Sequence, residues 1–390
     1  MSVNTMDIEQ IYSLLTSIHN QATGNAALAP IDTSSFISVA QATLQAGYDK
    51  VMYAITQVVG KTLIAVRPYS RKFKGLEFDR TRWGGIIRKI SFADSNPQSD
   101  DTYNLGNIPG SVDQYQIAMP QALETRYVGS DVYQGSYTIF TKQLDAAFTS
   151  PEAFGDFMSG LMTHFSNERE QWLEDASRGI LINAVTAKLD MNNGIIHLLT
   201  EYNAATGLSL TATTVRQPAN FPAFCKWAYA RIANVSQIFT ERSGEFQEQI
   251  GGMTINRHTP VRDQRLYMNA DFLEHLRAEV LADTYHNDLL TLADVEPVGY
   301  WQSIKSPLSV SNKPVYVDYA GDITTASANV ANSVVLGVLF DRDAMGYNLQ
   351  DDTLVSSPYN AAGQYYNLFS HVRIQLQNDF TEKVAVFCLD

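Results

Sequence analysis

The side chains that could carry chemistry are scattered along this sequence rather than grouped. There is no glycine-rich phosphate loop, no nucleophile elbow and no HExxH motif. The histidines also lack the spacing of metal ligands. They are His19, His164, His197, His258, His275, His286 and His371. We therefore expect core or surface histidines, and no catalytic residue, metal or cofactor.

Two local groups come nearest to a reactive site. Cys225 could act as a nucleophile beside a base, but the aromatic neighbours Phe224, Trp227 and Tyr229 indicate a buried, inert thiol. The run Asp341-Arg342-Asp343 follows an apolar strand and could hold a divalent metal. The arginine between its carboxylates favours a strand-ending turn instead. Both groups are thus predicted to be structural.

Composition limits the classes of protein that remain. The chain has 390 residues, of which 45% are hydrophobic, so a sizeable core is available. A net charge of −13 argues against coating by nucleic acid, and two cysteines exclude a disulfide framework. The start Met1–Asp7 lacks the features of a signal peptide, and the most apolar run, Val334–Phe340, is too short for a membrane span.

Charged residues make up only 18% of the chain and aromatic residues 11%. Interfaces between proteins favour Tyr, Trp, Phe and Arg over Lys, Glu and Asp. Two interpretations stay open from composition alone. Either copies of the chain cover each other's surfaces, or a large core is combined with a tyrosine-rich surface.

The elements that position these residues predict an α+β fold, with long helices first and strands later. An apolar stripe predicts a helix over Met6–Ile18, and Asn20–Thr33 has the composition of an arm or linker. A second, long helix is predicted from Ser150 to Leu189. Further predicted helices are 223–238 and the segment after Asn269; predicted strands are 208–213, 265–269, 315–319, 334–340, 371–377 and 384–389.

Residues 61–90 carry nine basic and two acidic side chains, which leaves −20 for the rest of the chain. Thr62–Arg67 and Trp83–Ala93 are predicted strands of a basic hairpin. Arg88 falls on the same side as Ile86, Ile90 and Phe92, a mixed face that suits a projecting ribbon. The hairpin could bind single-stranded nucleic acid, remain solvated without a partner, or dock on an acidic copy of the chain. The charge asymmetry favours self-association.

Several segments resemble the major capsid proteins of tailed bacteriophages, which share the Hong Kong 97-type fold. The resemblance covers about residue 60 to the C-terminus and starts with the basic hairpin before a long helix. The segments that carry it are Leu198–Asn203, Leu208–Thr211, Arg257–Pro260, Leu339–Gly346, Tyr359–Asn360, Tyr365–Asn367 and Asn378–Glu382, followed by a final apolar strand.

The resemblance implies an organisation in four parts. Residues 1–60 would be an N-terminal arm, and residues 61–125 an extended β-hairpin loop over a neighbouring subunit. Residues 126–200, with the long helix as spine, would form a peripheral domain that 366–390 join. Residues 201–365 would form an axial domain around the five-fold and six-fold centres.

The function implied is that of a major capsid protein, a structural protein that self-assembles into the icosahedral shell of a double-stranded DNA phage. Hexamers and pentamers of the chain would form the virion capsid, assembled in the host cytoplasm. Because the N-terminus lacks a long charged coiled-coil extension, we expect a separate scaffolding protein, together with a portal. Packaged DNA would be touched only non-specifically, and no crosslink and no membrane contact are expected.

The predicted inter-subunit contacts are cationic and aromatic side chains of the hairpin. They are Arg71, Lys72, Lys74, Arg80, Arg82 and Trp83. Two rival functions remain open at this point. One is an encapsulin-like compartment with enzyme cargo, which has the same kind of fold, and the other is an α+β enzyme with an unrecognised site.

Overall fold

The computed structural model describes residues 6–24, 29–61, 69–78, 86–95, 119–281 and 295–390. Contacts divide the chain into two compact units. The first takes its described residues from Met1–Gly85, Gly129–Ser177 and Tyr347–Leu376. The second takes them from Ile86–Val128, Arg178–Gly346 and Gln377–Asp390. Each unit is therefore built from separated stretches of sequence.

The described helices all end by Leu281, and only strands follow in the described chain. The helices are α1 (Ile8–Thr23), α2 (Thr33–Gln45), α3 (Tyr48–Lys61), α4 (Thr141–Ala147), α5 (Pro151–Met191), α6 (Leu198–Thr206), α7 (Phe221–Thr240) and α8 (Ala270–Leu281). The strands are β1 (Ile86–Phe92), β2 (Ala122–Val128), β3 (Asp131–Phe140), β4 (Ile195–His197), β5 (Gln264–Asn269), β6 (Val295–Val298), β7 (Val310–Asn312), β8 (Val315–Val317), β9 (Ile323–Thr325), β10 (Val330–Asn332), β11 (Val335–Asp341), β12 (Met345–Ser356), β13 (Tyr365–Asn378) and β14 (Val384–Cys388). The predicted α+β class is confirmed.

The first unit packs helices on a three-stranded sheet of order β12-β13-β3. Asp7 and Asp32 cap α1 and α2 by accepting hydrogen bonds from backbone N–H groups, which fixes where these helices begin. The apolar stripe of α1 is covered by α2 and α3 and joins one core with the first part of α5. Aromatic rings pack together in this core. The centroid of the Phe154 ring lies 5.9 Å from that of Phe36 and 5.1 Å from that of Phe148.

The second unit has a five-stranded sheet of order β4-β14-β11-β5-β6 at its centre. The strands β11 and β14 are apolar runs that are buried almost throughout, as expected of strands covered on both faces. Residues of α7 and α8, including Phe224, Val235 and Phe272, pack with Leu339 and Phe387 in one core. Three smaller two-stranded sheets complete the described strands: β1-β2, β7-β10 and β8-β9.

Most predicted elements are confirmed, and two need correction. The long helix is the 41-residue α5. The predicted strand 208–213 is wrong, because Thr211 and Thr214 form a turn in which the Thr211 N–H donates to Thr214 Oγ1 at 2.7 Å; such side-chain bonds compete with strand pairing. The predicted linker 20–33 is shorter than expected, since α1 continues to Thr23.

No helix among the described residues is long and apolar enough to cross a membrane. The predicted strand 62–67 lies outside the described residues. The predicted loop 61–125 contributes to both units, with Tyr69–Phe78 in the first and Ile86–Ser95 in the second.

The aromatic core of the first unit gives a direct test of this architecture. Phe154→Ala should lower the free energy of unfolding of the protein by about 3–5 kcal/mol, because loss of a large buried ring leaves a cavity. Urea denaturation followed by circular dichroism measures the change. The control Tyr53→Ala, at an exposed position of α3, should stay within about 0.5 kcal/mol. A loss below about 1 kcal/mol for Phe154→Ala would contradict the packing described.

Candidate functional site

The predicted contact residues fall into two groups. Arg80, Arg82 and Trp83 lie outside the described residues. Arg71, Lys72 and Lys74 belong to the described segment Tyr69–Phe78, which contains a short 3-10 turn at Lys74–Leu76. The structure thus places three of the six predicted side chains.

Arg71 is engaged within its own unit. Its guanidinium forms ion pairs with Glu77 and with Glu170 of α5, the latter at 2.6 Å between Nη1 and Oε1. The Arg71 side chain is 6% exposed. Burial opposes its charge, but Tyr347, Glu170 and Glu77 outweigh that effect and raise the pKa of Arg71. This side chain therefore fastens Tyr69–Phe78 to its own unit.

Backbone hydrogen bonds of the segment Tyr69–Phe78 also attach it to α5. The N–H of Tyr69 donates to Asn167 Oδ1 at 2.8 Å, and the N–H of Lys72 donates to Glu174 Oε2 at 2.8 Å. The side chains of Lys72 and Lys74, in contrast, are exposed. Of the three described residues, these two lysines are the ones whose side chains are open to solvent.

The second exposed basic element is the antiparallel pair β1 and β2, here called the ribbon. Its register places Ile86 opposite Val128, Arg88 opposite Arg126 and Phe92 opposite Ala122. Because side chains alternate along a strand, the ribbon has two faces. The outer face consists of Ile86, Arg88, Ile90, Phe92, Ala122, Glu124, Arg126 and Val128; the inner face consists of Ile87, Lys89, Ser91, Leu123, Thr125 and Tyr127.

The outer face leaves four large apolar side chains in solvent. Their exposed fractions are 57% for Ile86, 56% for Ile90, 62% for Phe92 and 69% for Val128. The predicted mixed face of β1 is confirmed, since Arg88 lies on this same side. The four apolar side chains form two groups on this face, with Ile86 opposite Val128 at one end and Ile90 and Phe92 at the other. Grouped exposed apolar side chains suggest an interaction site, whereas single ones are ordinary.

A small charge cluster lies between these apolar side chains. Glu124 Oε1 accepts hydrogen bonds from Arg126 Nε at 2.7 Å and from Arg88 Nε at 2.6 Å. These hydrogen bonds lower the pKa of Glu124 to about 2, and the bond from Arg126 has the largest effect. Two guanidinium groups share one carboxylate, so the outer face carries a net positive charge between its apolar side chains.

The inner face is bound to the second unit. Lys89 forms ion pairs with Asp379 and Glu382, in the turn between β13 and β14. Arg257 Nη2 donates to Ser91 Oγ at 2.6 Å. Beyond the strand, Asp94 pairs with Arg242, and its N–H donates to the Thr254 carbonyl at 2.8 Å.

The groups considered for catalysis have structural roles. Cys225 and Cys388 are buried, and burial raises the pKa of each thiol to about 12. Asp341 forms the predicted turn, accepting hydrogen bonds from Thr259 Oγ1 and the Asp343 N–H, both at 2.7 Å. Within the described part of the chain, no group of three or more His, Cys, Asp or Glu residues could hold a metal ion.

A polar cleft of about 710 Å³ opens in the second unit. Its lining includes His258, Asp343, Arg257, Asp341 and Glu382, and its described residues offer no hydroxyl, thiol or amine nucleophile. Arg257 and Glu382 hold the ribbon, and Asp341 holds its turn. These charges therefore have partners in the fold.

The sequence did not reveal β2 or the acidic partners of Lys89. Arg88 and Glu124 are 36 positions apart in the sequence, and Lys89 and Asp379 are 290 apart. No local sequence pattern predicts contacts over such distances. The signal available for predicting β2 was its alternating sequence pattern, which places Leu123, Thr125 and Tyr127 on one side of the strand. For Asp379 and Glu382 the available signal was their place in the segment Asn378–Glu382 that carried the family resemblance.

Comparison with known proteins gives one family match and several similar solved structures. A family model described as Phi29-like phage major capsid protein matches residues 15–388. No curated protein sequence matches the chain. Among solved structures, the capsid structure of Staphylococcus phage Andhra is similar over 84% of this chain and 86% of that chain, with 11% identity and a TM-score of 0.48. The capsid asymmetric unit of cyanophage Pam1 is similar over 84% of this chain and 95% of that chain, with 10% identity and a TM-score of 0.46.

The distinction between Arg71 and its lysine neighbours is testable in the unassembled subunit. Arg71→Met should lower the free energy of unfolding by about 3 kcal/mol, since it leaves two partly buried carboxylates without their cation. Chemical denaturation measures this loss. The control Lys72→Ser/Lys74→Ser should change it by no more than about 0.5 kcal/mol. Equal effects of the two variants would show that Arg71 is not the structural member of the group.

The charge cluster of the outer face predicts a particular pH dependence. Because the folded pKa of Glu124 lies near 2 and its usual value is 4.5, its contribution to stability is present above about pH 4.5 and is lost as the pH falls toward 2. Carboxyl-carbon NMR titration should find this low midpoint. In the variant Arg88→Gln/Arg126→Gln the midpoint should return toward 4.5. A wild-type midpoint at the usual value would mean that the cluster does not form in solution.

Proposed function

The chain belongs to the family of Phi29-like phage major capsid proteins, and on that premise we propose how its shell is built and what the shell contains. It is a structural protein, and copies of it form the phage capsid. Its α+β architecture agrees with the Hong Kong 97-type capsid fold. We propose that the shell is icosahedral, is made of hexamers and pentamers, and encloses a double-stranded DNA genome.

The proposed contact between copies is the outer face of the ribbon, and Lys72 and Lys74 of the first unit are proposed as a separate contact. The observation that carries this proposal is the row of four exposed apolar side chains around a net positive cluster. Covering apolar surface stabilises an interface by about 25 cal/mol per Å² removed from water. The two arginines add specificity, because they interact favourably only with a surface of opposite charge.

Charge supports a copy of this chain as the partner. The whole chain carries −13, whereas the outer face of the ribbon carries Arg88 and Arg126 against Glu124, and Lys72 and Lys74 are exposed. A cationic contact element on an otherwise acidic protein is attracted to the acidic surface of the next copy. The same acidic surface repels DNA phosphates, so contact with the packaged genome is non-specific and weak.

The four-part organisation remains a proposal for the assembled shell. In it, residues 1–60 act as an arm, although within the subunit they form the helices α1, α2 and α3. Residues 61–125 act as the extended loop, 126–200 with 366–390 as the peripheral domain, and 201–365 as the axial domain. A separate scaffolding protein and a portal complete the assembly, which takes place in the host cytoplasm.

The proposed role requires no catalysis by the chain. Family membership favours a virion shell over an enzyme, and over an encapsulin-like compartment with enzyme cargo. The polar cleft of the second unit, with its charges in structural pairs, is consistent with this role.

Microscopy of the expressed protein tests the proposal. Negative-stain images of the chain, alone and with a candidate scaffolding protein, should show closed shells. The variant Ile90→Ser/Phe92→Ser should give folded subunits and at least tenfold fewer closed shells, because the apolar part of the contact is removed. The matched control Ile90→Val/Phe92→Leu keeps the surface apolar and should assemble like the wild type.

Two results would contradict this account. One is a wild-type chain that stays monomeric at high concentration with every candidate scaffold. The other is normal shell formation by Ile90→Ser/Phe92→Ser. Circular dichroism spectra of the variants establish that each subunit is folded before assembly is scored.

A further inference from the structure

The turn Asp379–Glu382 is preformed by its own hydrogen bonds. Asp379 Oδ1 accepts from the Thr381 N–H at 2.9 Å and from Thr381 Oγ1 at 2.6 Å. The Asp379 N–H donates to the Ala344 carbonyl at 2.6 Å. The next residue, Lys383, is buried and donates to the Glu241 carbonyl at 2.7 Å. The turn is thus fixed by the second unit without any help from the ribbon.

Two carboxylates of this turn face the inner side of the ribbon, and we call Asp379 and Glu382 the socket. Their side chains are 3% and 10% exposed, against 26% for Lys89, which contacts both. Arg257 Nε lies 3.6 Å from Glu382 Oε1, so the group contains two cations and two anions. Buried carboxylates are costly without a cation, and Lys89 is the ribbon residue that supplies one.

The effect of the socket on Lys89 agrees with this geometry. Burial by itself favours the neutral amine, but Asp379 and Glu382 outweigh it and raise the pKa of Lys89. The Lys89 side chain therefore stays charged throughout the neutral range.

The ribbon is held at separated points along β1 and just beyond it. The two outermost are Lys89 in the socket and Asp94, which binds Arg242 and the Asn256 N–H. Ser91, bound by Arg257, lies between them. Lys89 and Asp94 are five residue steps apart, roughly 17 Å at about 3.4 Å per step of extended chain. With a single attachment the ribbon could rotate about that point, whereas two separated attachments fix its orientation. An isolated two-stranded ribbon is marginal in water, so these attachments determine where its faces point.

The socket also distinguishes one face of β1 from the other. Arg88 and Lys89 are adjacent cations, but Arg88 pairs with Glu124 on the outer face and Lys89 enters the socket. A slip of one residue turns every side chain to the opposite face. Placing Arg88 in the socket would turn Ile86, Ile90 and Phe92 inward and remove the apolar row from the surface.

From these observations we infer that Asp379 and Glu382 form an ionic socket for Lys89 that selects which face of the ribbon is presented to the next copy of the chain. Lys89 is a positioning residue: it acts on assembly through the ribbon and does not itself touch the partner. The inference rests on the proposed contact function of the outer face, which it deepens by naming what sets that face outward.

Hydrogen exchange on the unassembled subunit tests the inference. Lys89→Met should speed exchange of the described amides in 86–95 and 119–128 at least tenfold, with exchange in β11 and β14 unchanged. The matched control Arg88→Met removes a cation from the neighbouring position on the other face and should leave exchange in the ribbon within twofold of the wild type. Lys89→Arg, which keeps the charge, should restore slow exchange.

A second variant covers the case in which Lys89→Met does not fold. Lys89→Met/Glu382→Gln removes one charge of each sign, so Asp379 and Arg257 remain balanced, and the ribbon should again exchange at least tenfold faster. For both variants we expect at least tenfold fewer closed shells. For the charge-balanced Lys89→Met/Glu382→Gln, the melting temperature should stay within about 3 °C of the wild type, a small local effect. A merely structural role would instead lower the melting temperature and speed exchange throughout the second unit.

The outcomes separate this inference from the proposed function. Unchanged exchange in the ribbon of the Lys89 variants, or equal loosening by Arg88→Met, would overturn the socket. A loosened ribbon with normal shell formation would overturn its role in assembly. If the wild-type chain forms no shells under any condition, the proposed function fails, and the exchange result alone decides whether the socket exists.

Discussion

A two-stranded ribbon cannot hold its own position in water, and this constraint organises the candidate site. The inner face of β1 is tied to the second unit through Lys89 and Ser91, and Asp94 adds a tie just beyond the strand. The outer face has no such ties among the described residues and leaves Ile90 and Phe92 in solvent. Fixing one face is what allows the other to remain exposed and still have a defined direction.

Four basic residues of the sequence run 61–90 divide into three roles. Arg71 holds its own segment against α5, Lys89 holds the ribbon, and Lys72 and Lys74 are exposed. In the sequence they look alike, as members of one cationic run. What separates them is the presence or absence of carboxylates fixed by distant parts of the chain. Net charge alone could not distinguish them, because the individual roles depend on tertiary contacts.

Periodicity predicted the parts of the fold in which local pattern and burial agree. The long helix α5 and the apolar strands β11 and β14 followed directly from their spacing. The prediction failed at 208–213, where threonine hydroxyls bond the backbone of a turn. It could not give β2 as the partner of β1, or the socket for Lys89, because those contacts join residues far apart in sequence. The resemblance marked Asn378–Glu382 as characteristic but assigned it no role.

The account stands on the claim that the outer face of the ribbon is an interface between copies of the chain. A cryo-electron microscopy map of the assembled shell, at a resolution that shows side chains, tests it most directly. We expect Ile90 and Phe92 to be covered by a neighbouring copy, with acidic side chains of that copy near Arg88 and Arg126. A shell in which this face remains open to solvent would contradict the claim.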